Sequence, residues 1–321
     1  MESFMQTVLL QLVIIVAGFV LLIKGADLFV KGASTIAHRF GVPQIIIGLT
    51  VVAMGTSAPE AAVSISAALT GNADITIGNV VGSNIMNIFV ILGITALVAP
   101  LIVDRSAVKV DMPVMLGVTL LLLPLGLVGG SVNRWEGLIL LAVFSAYMFY
   151  LFRQTLQSRD EERETRPTYG QGNVWTMIFI TILGLVMIVL GSRFTVSAAT
   201  EIAEFLGVSQ RMIGLTVVAF GTSLPELVTS VTAARRGNTG IAIGNIVGSN
   251  LFNVLFVTGL TAVITPVAFL STFTFDLLVA ALAALLLWLF SWKFGYLNRI
   301  CGLIFVLLYA GYFAVVIMDL I

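Results

Sequence analysis

Charged residues are scarce in this sequence. Only 10% of its 321 residues are Asp, Glu, Lys or Arg, whereas a soluble domain has about 25%. Hydrophobic residues make up 59% of the chain, and the mean hydropathy is +1.10. The apolar residues form runs of about 20, the length that an α-helix needs to cross a bilayer core. This composition excludes a soluble enzyme and predicts a multi-pass membrane protein.

Cysteine and histidine are almost absent. The single cysteine, Cys301, cannot form an internal disulfide framework and is interpreted as a small apolar residue of the last helix. The single histidine, His38, lies beside Arg39 in a polar connection and is interpreted as a surface residue. The formal net charge is zero, so nothing indicates a nucleic-acid partner. No obligate protein partner is evident, which leaves the lipid bilayer as the expected surroundings.

Polar breaks divide the sequence into ten apolar segments, which predict an all-α fold of ten transmembrane helices. The longest connection, residues 154–173, is polar and mixed in charge, and we interpret it as a solvated linker. It separates a first five-helix repeat, residues 1–153, from a second, residues 174–321. The predicted helices lie near residues 8–30, 43–70, 75–99, 111–129, 135–153, 174–197, 209–234, 239–264, 274–291 and 298–318.

The distribution of basic residues predicts the orientation, because cytoplasmic connections are enriched in Lys and Arg. Twelve basic residues fall on one side of the ten-helix arrangement and three on the other, with Lys24 left unassigned. The linker is therefore expected in the cytoplasm and both termini outside the cell membrane. The larger set is Lys31, Arg39, Arg105, Lys109, Arg153, Arg159, Arg163, Arg166, Arg235, Arg236, Lys293 and Arg299, and the smaller set is Arg134, Arg193 and Arg211.

A 60-residue segment occurs twice. Residues 42–101 and 208–267 align at a constant offset of 166, and 32 of the 60 positions are identical. The first copy contains "VVAMGTSAPE" and "GNVVGSNIMN", and the second contains "VVAFGTSLPE" and "GNIVGSNLFN". With five helices in each half, the second half enters the membrane from the opposite side. Such inverted repeats place their substrate site near the midplane, on interrupted helices.

Two carboxylates stand out in these copies. Glu60 and Glu226 fall near the centre of a predicted span, where an acidic residue is costly and marks an ion or proton path. Pro59 and Pro225 each precede a glutamate and deprive a backbone carbonyl of its helical donor. A freed carbonyl at membrane depth must find a partner, and it is itself a hard oxygen ligand.

Neutral oxygen donors accompany the carboxylates. Hydroxyls precede each glutamate, and Asn and Ser recur at intervals of four along the following helix, where glycines allow close helix packing. Because all these donors are oxygen atoms, they suit Ca²⁺, Mn²⁺ or Na⁺ rather than zinc or copper. Two carboxylates also neutralise one divalent cation. The donors are Thr56, Ser57, Thr222 and Ser223 in the glutamate motifs, and Asn79, Ser83, Asn87, Asn245, Ser249 and Asn253 in the following helices.

At these motifs the chain resembles the cation/calcium exchanger superfamily, in its sodium/calcium exchanger branch. The two "GTSxPE" and two "GSNxxN" motifs look like that family's α-repeats, and the resemblance covers essentially the whole chain. It implies Na⁺/Ca²⁺ antiport without a cofactor, with Glu60 and Glu226 as Ca²⁺ ligands. It also implies Na⁺ sites formed by Thr56, Ser57, Thr222, Ser223, Ser83, Ser249 and the carbonyls of Ala53 and Ala219. Asn87 would belong to the central site.

One position departs from the family. Well-known members carry an aspartate where this chain has Asn253, so a mechanism that needs a third acid is in doubt. The proton-coupled calcium exchangers of the superfamily use Asn-Ala-Ala-Glu in place of Thr-Ser-x-Pro-Glu, which favours Na⁺ as the coupling ion here. H⁺ coupling, transport of another divalent ion such as Mn²⁺, and a cation channel remain alternatives. A channel is disfavoured because one chain supplies both halves of the site.

Overall fold

The computed structural model describes residues 2–71, 73, 75–162, 173–207, 217, 219–270 and 272–318. Within these ranges the regular secondary structure is helical, apart from four strands of two residues each. Eight helices are long and apolar enough to cross a membrane, and a pair of helices bent by 48° makes a ninth span. The chain is therefore a multi-pass integral membrane protein. The tenth predicted span, near residues 209–234, lies partly outside the described residues.

The helices follow one another along the chain with short connections. They are α1 (Glu2–Phe40), α2 (Gln44–Thr56), α3 (Ala58–Leu69), α4 (Ile75–Val98), α5 (Ala107–Gly129), α6 (Arg134–Glu162), α7 (Val174–Phe205), α8 (Ala219–Thr222), α9 (Leu224–Arg235), α10 (Thr239–Ile264), α11 (Phe273–Phe294) and α12 (Arg299–Met318).

The four strands join the two halves of the chain. β1 (Leu101–Ile102) pairs antiparallel with β4 (Tyr296–Leu297), and β2 (Ser131–Val132) pairs antiparallel with β3 (Val267–Ala268). β3 follows β1 by 166 residues (101 to 267), and β4 follows β2 by 165 (131 to 296). Each half thus contributes one strand to each two-stranded sheet, and the two connections at these points are equivalent in the two halves.

α4 and α10 form the centre of the bundle. In their most apolar stretches 78% and 83% of the residues are buried, compared with 17% to 33% in the other six spanning helices. Gly248, in the second copy of the repeated segment, allows close packing of α2 on α10. A Cβ added to Gly248 would lie 2.6 Å from the carbonyl oxygen of Leu49, so the predicted close approach at this glycine motif is confirmed. The residue equivalent to Leu49 in the second copy is Leu215, which lies outside the described part of the chain.

The glutamate motifs lie at breaks between helices. α2 ends at Thr56 and α3 begins at Ala58, while Ser57 between them has φ −83° and ψ 7°, outside helical geometry. Ser223 adopts nearly the same conformation, φ −91° and ψ 1°, between α8 and α9. A proline follows in the first turn of both α3 and α9. Its missing N–H costs no helical hydrogen bond there, because an N–H in the first turn has no acceptor within the helix. The predicted interruption of these two spans is therefore present.

α1 and α7 cross each other outside this centre. A Cβ on Gly18 would lie 2.9 Å from the carbonyl oxygen of Gly191, and one on Gly184 would lie 2.7 Å from that of Gly25. These glycines therefore serve a tight contact between α1 and α7. Small residues let the two helix backbones approach each other in this way.

Some predicted boundaries were too short. α1 continues to Phe40, so His38 lies in its last turn rather than in a connection. α7 continues to Phe205, so Arg193 lies well inside this helix and not near its end, as the predicted span 174–197 has it. α6 extends to Glu162 and includes the start of the predicted linker. Helices continue past an apolar stretch until a residue such as Gly41 or Gly207, at φ 63° and 77°, ends them.

Candidate cation-binding site

Two buried carboxylates face the break points of the bundle. Glu60 lies in the first turn of α3 and Glu226 in the first turn of α9, and each side chain is only 1% exposed. The positive end of the helix dipole favours an acidic residue at this position. Among the buried side chains of the described residues there is no Lys, Arg or His. The two carboxylates are thus not neutralised by basic residues there.

Hydrogen bonds connect the motif of one half to the other half. Ser57 Oγ donates to Glu226 Oε1 at 2.8 Å, and Thr56 Oγ1 donates to Asn245 Oδ1 at 3.0 Å. Ser57 precedes Glu60 by three residues, so its bond to Glu226 brings the two glutamate motifs together. The structure therefore brings both carboxylates and residues from both copies of the motif into one buried region.

Two asparagines hold the broken helices in place. Asn79 Nδ2 donates to the Glu60 carbonyl oxygen at 3.1 Å and to Ser64 Oγ at 2.9 Å. Asn245 Nδ2 makes the equivalent bonds to the Glu226 carbonyl oxygen at 3.4 Å and to Ser230 Oγ at 2.9 Å. These amides fix the backbone that carries each carboxylate, which is a role that the sequence pattern alone did not assign to them.

Four asparagines form a reciprocal network between α4 and α10. Asn84 Nδ2 donates to the Asn250 carbonyl oxygen at 3.2 Å, and Asn250 Nδ2 donates to the Asn84 carbonyl oxygen at 3.3 Å. The side-chain oxygens of this pair accept from the other two. Asn87 Nδ2 donates to Asn250 Oδ1 at 2.9 Å, and Asn253 Nδ2 donates to Asn84 Oδ1 at 3.2 Å. Every amide nitrogen of the network is thereby engaged.

Local helix geometry sets the positions of Asn87 and Asn253. Asn87 begins a π-helical segment, Asn87–Leu92, and Asn253 lies at the second position of another, Phe252–Val257. π-helical turns are wider than α-helical ones and occur often at functional sites. Here they occur at equivalent places in both halves, so the two asparagines take equivalent positions.

Several buried oxygens at this place lack a hydrogen-bond partner. Native proteins leave few buried polar atoms unpaired, so a concentration of them needs a cause. Eleven buried side-chain oxygens have no partner among the described residues, and six of the eleven belong to predicted ligands. These six are Glu60 Oε2, Glu226 Oε2, Asn87 Oδ1, Asn253 Oδ1, Ser223 Oγ and Ser249 Oγ.

The remaining predicted ligands lie around this group. Ala53 is fully buried, and its carbonyl oxygen accepts from Ser57 N at 2.9 Å and from Thr56 Oγ1 at 3.3 Å. Ser83 is 7% exposed on α4. Thr222 lines a cavity that lies beside Pro59. Ala219 begins α8, and its side chain lies outside the described part of the structure.

The sequence reasoning missed residues that support the site. Asn84 and Asn250 were visible in the repeated "GSN" motif, yet the regular spacing of four drew attention to their neighbours instead. Ser192 gave no signal, because it lies in α7, outside the repeated segments. Its Oγ donates at 2.8 Å to the carbonyl oxygen of Gly221, the carbonyl that Pro225 deprives of a helical donor.

Two further acidic residues are bound to tyrosines away from the glutamate motifs. Tyr147 donates its hydroxyl to Asp111 at 2.8 Å, and Tyr312 donates to Asp276 at 2.9 Å. Asp111 is only 1% exposed. These pairs join α5 to α6 and α11 to α12 at equivalent positions. Their carboxylates each accept a bond from a neutral hydroxyl and belong to the packing of the outer helices.

The donor atoms in the buried region limit which kind of ion can bind there. Its free groups are carboxylate, amide and hydroxyl oxygens, and no group of three or more His, Cys, Asp or Glu occurs among the described residues. Oxygen donors suit hard cations and offer nothing to a soft metal. A buried negative charge with no basic partner requires a cation or protons. A membrane-spanning bundle with such a region belongs to the class of cation transport proteins.

Comparison with known proteins defines that class more closely. The family model described as "Sodium/calcium exchanger protein" matches residues 10–153 and 176–318. The two matched stretches cover nearly the whole chain and leave out the linker. This chain belongs to the sodium/calcium exchanger family, and the resemblance inferred from its motifs is confirmed.

Individual relatives agree with the family assignment. The inner membrane protein YrbG of Escherichia coli is 35% identical over 291 residues, with 87% of this chain and 89% of the relative covered. The sodium/calcium exchanger MaX1 of Methanosarcina acetivorans is 33% identical, with 88% and 91% covered. The solved structure of the sodium-calcium exchanger NCX_Mj superimposes with a TM-score of 0.85 at 32% identity, with 96% of this chain and 99% of that chain covered.

Proposed function

We propose that the protein is a secondary antiporter that exchanges Na⁺ for Ca²⁺ by alternating access and exports Ca²⁺. One Ca²⁺ would bind between Glu60 and Glu226, with the side-chain oxygens of Asn87 and Asn253 completing its coordination. Two carboxylates balance the charge of one divalent ion, and Ca²⁺ accepts six to eight oxygen ligands of mixed kind. The family membership and the name of the relative MaX1 support the choice of ions.

The observation that carries this proposal is the set of unpaired oxygens. Both glutamates keep one oxygen without a partner, and so do both asparagines of the π-helical segments. If only apolar groups surrounded these oxygens, each would stay without a hydrogen bond at a cost of about 1 to 3 kcal/mol. A cation satisfies all of them at once and also neutralises the two carboxylates.

The same region offers donors for Na⁺. We assign to Na⁺ the hydroxyls and carbonyls that flank the central oxygens, because a monovalent ion needs no second carboxylate. The unpaired hydroxyls of Ser223 and Ser249 support this assignment. The proposed Na⁺ ligands are Thr56, Ser57, Thr222, Ser223, Ser83, Ser249 and the backbone carbonyls of Ala53 and Ala219.

We further propose that the chain consists of two inverted five-helix repeats, residues 1–153 and 174–321, joined by a cytoplasmic linker at residues 154–173. Both termini would lie outside the cell, in a plasma or inner membrane as the name of the relative YrbG indicates. The excess of basic residues on the linker side supports this orientation. The equivalent asparagine bonds and strand pairings in the two halves support the repeat.

An asymmetry between equivalent contacts supports alternating access. α1 packs against α9, whereas α7 is separated from α3 by a cavity of about 740 Å³. α7 and α3 occupy the places in their halves that correspond to α1 and α9. In the proposed orientation the open side faces outside and the closed side faces the cytoplasm. A transporter with related halves reaches its other state when these two contacts exchange.

The proposal is tested by ⁴⁵Ca²⁺ uptake into proteoliposomes that contain the purified protein. Na⁺, K⁺ and H⁺ gradients are imposed one at a time, with protein-free vesicles as the control. We expect uptake only when Na⁺ is inside and can leave. Uptake driven by the H⁺ gradient alone would replace Na⁺ with H⁺ as the coupling ion. Uptake without any counter-ion would indicate a channel, and either result would contradict the proposal.

A further inference from the structure

A cavity connects the break in the first half to one side of the bundle. Its volume is about 740 Å³, and its walls come from α3, α7 and α8. It reaches Pro59, which directly precedes Glu60 in the chain, and Thr222, which precedes Glu226 by four residues. The residues that line it are Pro59, Ala62, Val63, Ser66, Val189, Ser192, Arg193, Val196, Ser197, Gly221 and Thr222.

One of these lining residues is charged, and its charge is positive. Arg193 stands in a cavity that leads toward two glutamates and a set of oxygen donors for cations. A path for cations would be expected to carry acidic or neutral groups, because like charges repel along a low-dielectric channel. An arginine on such a path is therefore expected to change the binding of the ions that pass it.

The helix that carries Arg193 is tied to the ion-binding region. Ser192, the preceding residue, donates its hydroxyl to the Gly221 carbonyl oxygen at 2.8 Å. Gly221 belongs to the same motif as Thr222 and Glu226. The bond holds this part of α7 against the segment that precedes the break between α8 and α9, so the backbone that carries Arg193 is tied to that segment.

The other half of the chain does not reproduce this charge. The residue 166 positions before Arg193 is Asp27 on α1 (193 − 166 = 27), and Asp27 forms an ion pair with Arg236. The first half thus has the negative Asp27 where the second half has the positive Arg193. Arg236 neutralises Asp27 on the closed side of the bundle. The positive charge near the site is a property of the open side.

The effect of a fixed charge depends on the charge of the ion. In a given electrostatic potential a divalent cation gains or loses twice the free energy of a monovalent one. A positive residue therefore raises the dissociation constant of Ca²⁺ by about the square of the factor that it applies to Na⁺. The result is a weaker hold on Ca²⁺ relative to Na⁺ whenever the site is open to the Arg193 side.

We propose that Arg193 is a specificity-determining residue that weakens divalent binding more than monovalent binding in the open state and so promotes release of Ca²⁺ into the cavity. This inference rests on the proposed function and adds a role for a residue outside the ion-binding motifs. Coulomb's law in water gives, for one unit charge at an illustrative separation of about 8 Å, a change in affinity of about twofold for Na⁺ and about fivefold for Ca²⁺.

The test compares wild type with Arg193→Gln and Arg193→Lys in proteoliposomes. Arg134→Gln serves as the matched control, since Arg134 is an exposed arginine on α6 that does not line the cavity. The apparent affinities for Ca²⁺ and Na⁺ are measured on the cavity side. Arg193→Gln should bind Ca²⁺ about five times and Na⁺ about twice more tightly, while Arg193→Lys and Arg134→Gln should resemble wild type.

Ionic strength separates a charge effect from a packing effect. Raising it with N-methylglucamine chloride shortens the screening length from about 10 Å at 0.1 M to about 3 Å at 1 M, so the difference between wild type and Arg193→Gln should shrink. Equal changes for both ions, no change for either, or a Lys variant that behaves like Gln would overturn the inference. Wild-type protein without Na⁺/Ca²⁺ exchange would overturn the proposed function as well, and normal exchange with unaltered affinities would overturn this inference alone.

Discussion

Asn84 and Asn250 exchange hydrogen bonds across the centre of the bundle, each donating its side-chain amide to the backbone carbonyl of the other at 3.2 and 3.3 Å. Their remaining side-chain oxygens accept from Asn253 and Asn87. The nitrogen atoms of those two residues therefore point to this pair, and their oxygens are left without protein partners. The network therefore determines that Asn87 and Asn253 leave their side-chain oxygens, and not their nitrogens, available in the site.

This relationship predicts that Asn84 is a positioning residue. Asn84→Leu removes the acceptor for Asn253 Nδ2, so that amide can rotate and present nitrogen to the ion. A lost bond of this kind costs about 1 to 3 kcal/mol, and we expect the apparent Ca²⁺ affinity to fall about tenfold, with a smaller change in maximal rate. Asn250→Leu should act in the same way on Asn87.

Concentration-dependent ⁴⁵Ca²⁺ transport measures this effect as a KM change. Thr95→Val is the control, because it removes a buried hydroxyl that donates to the Ile91 carbonyl oxygen on the same helix but outside the asparagine network. Equal loss of maximal rate in Asn84→Leu and Thr95→Val, with unchanged KM in both, would show that Asn84 contributes only to stability.

The ion pair between Asp27 and Arg236 should favour the state with the cavity open. It joins α1 to the end of α9 on the closed side. The side chains are 50% and 36% exposed, respectively, and such partly exposed pairs contribute about 0.2 to 1 kcal/mol. Arg236→Glu should therefore reduce the open population up to about fivefold, and the double exchange Asp27→Arg with Arg236→Glu should restore it.

Labelling of a cysteine in the cavity reports this population. The position is Ala62, in a Cys301→Ala background, and the rate of reaction with an impermeant thiol reagent is compared among the variants. A slower rate in Arg236→Glu that recovers in the charge exchange is the expected result. If the folded charge-exchange variant kept the slow labelling rate of Arg236→Glu, the ion pair would have no influence on the conformation.

The orientation predicts the accessibility of single cysteines. Thr168→Cys in the linker and Ser131→Cys at the start of β2 should lie on opposite sides, because α6 crosses the membrane between them. In intact cells with the Cys301→Ala background, an impermeant reagent should label position 131 and spare position 168. Labelling at 168 with protection at 131 would reverse the proposed topology.

The charge of the site predicts voltage dependence. The family resemblance implies three Na⁺ for one Ca²⁺, so one net positive charge should cross per cycle. That charge couples to the membrane potential by about 2.3 kcal/mol per 100 mV. In vesicles clamped with K⁺ and valinomycin, after a check that K⁺ is not transported, Ca²⁺ accumulation should change with the imposed potential. Accumulation that ignores the potential would indicate two Na⁺ per Ca²⁺, consistent with the absence of a third acid at Asn253.

Much of the site was predictable because burying charge in lipid is costly. A carboxylate after a proline within an apolar run, repeated at a constant offset, identified Glu60 and Glu226 without a structure. The roles of Asn84 and Asn87 could not be separated in this way. Both are polar and three residues apart, and the π-helical segment that begins at Asn87 changes which face each residue occupies.

The position of Arg193 was not predictable from hydropathy. The apolar character of its segment fades near residue 197, although the helix continues to Phe205 because no proline or glycine interrupts it before Gly207. A hydropathy boundary marks where apolar residues become sparse, whereas the helix ends where the backbone geometry changes. The longer helix moves this arginine from near the end of the predicted span, residues 174–197, to the interior of α7, where it lines the cavity.

The most direct test of the central claim is competition between Ca²⁺ and Na⁺ for the two glutamates. Equilibrium binding of ⁴⁵Ca²⁺ to purified protein is measured with increasing Na⁺, for wild type and for Glu60→Gln and Glu226→Gln. Folding should survive these changes, since a neutral amide is cheaper to bury than a carboxylate. We predict one Ca²⁺ per wild-type chain, displaced by Na⁺, and a loss of most binding in either variant. Ca²⁺ binding that Na⁺ does not displace, or that a folded Glu226→Gln protein retains at wild-type strength, would contradict the account.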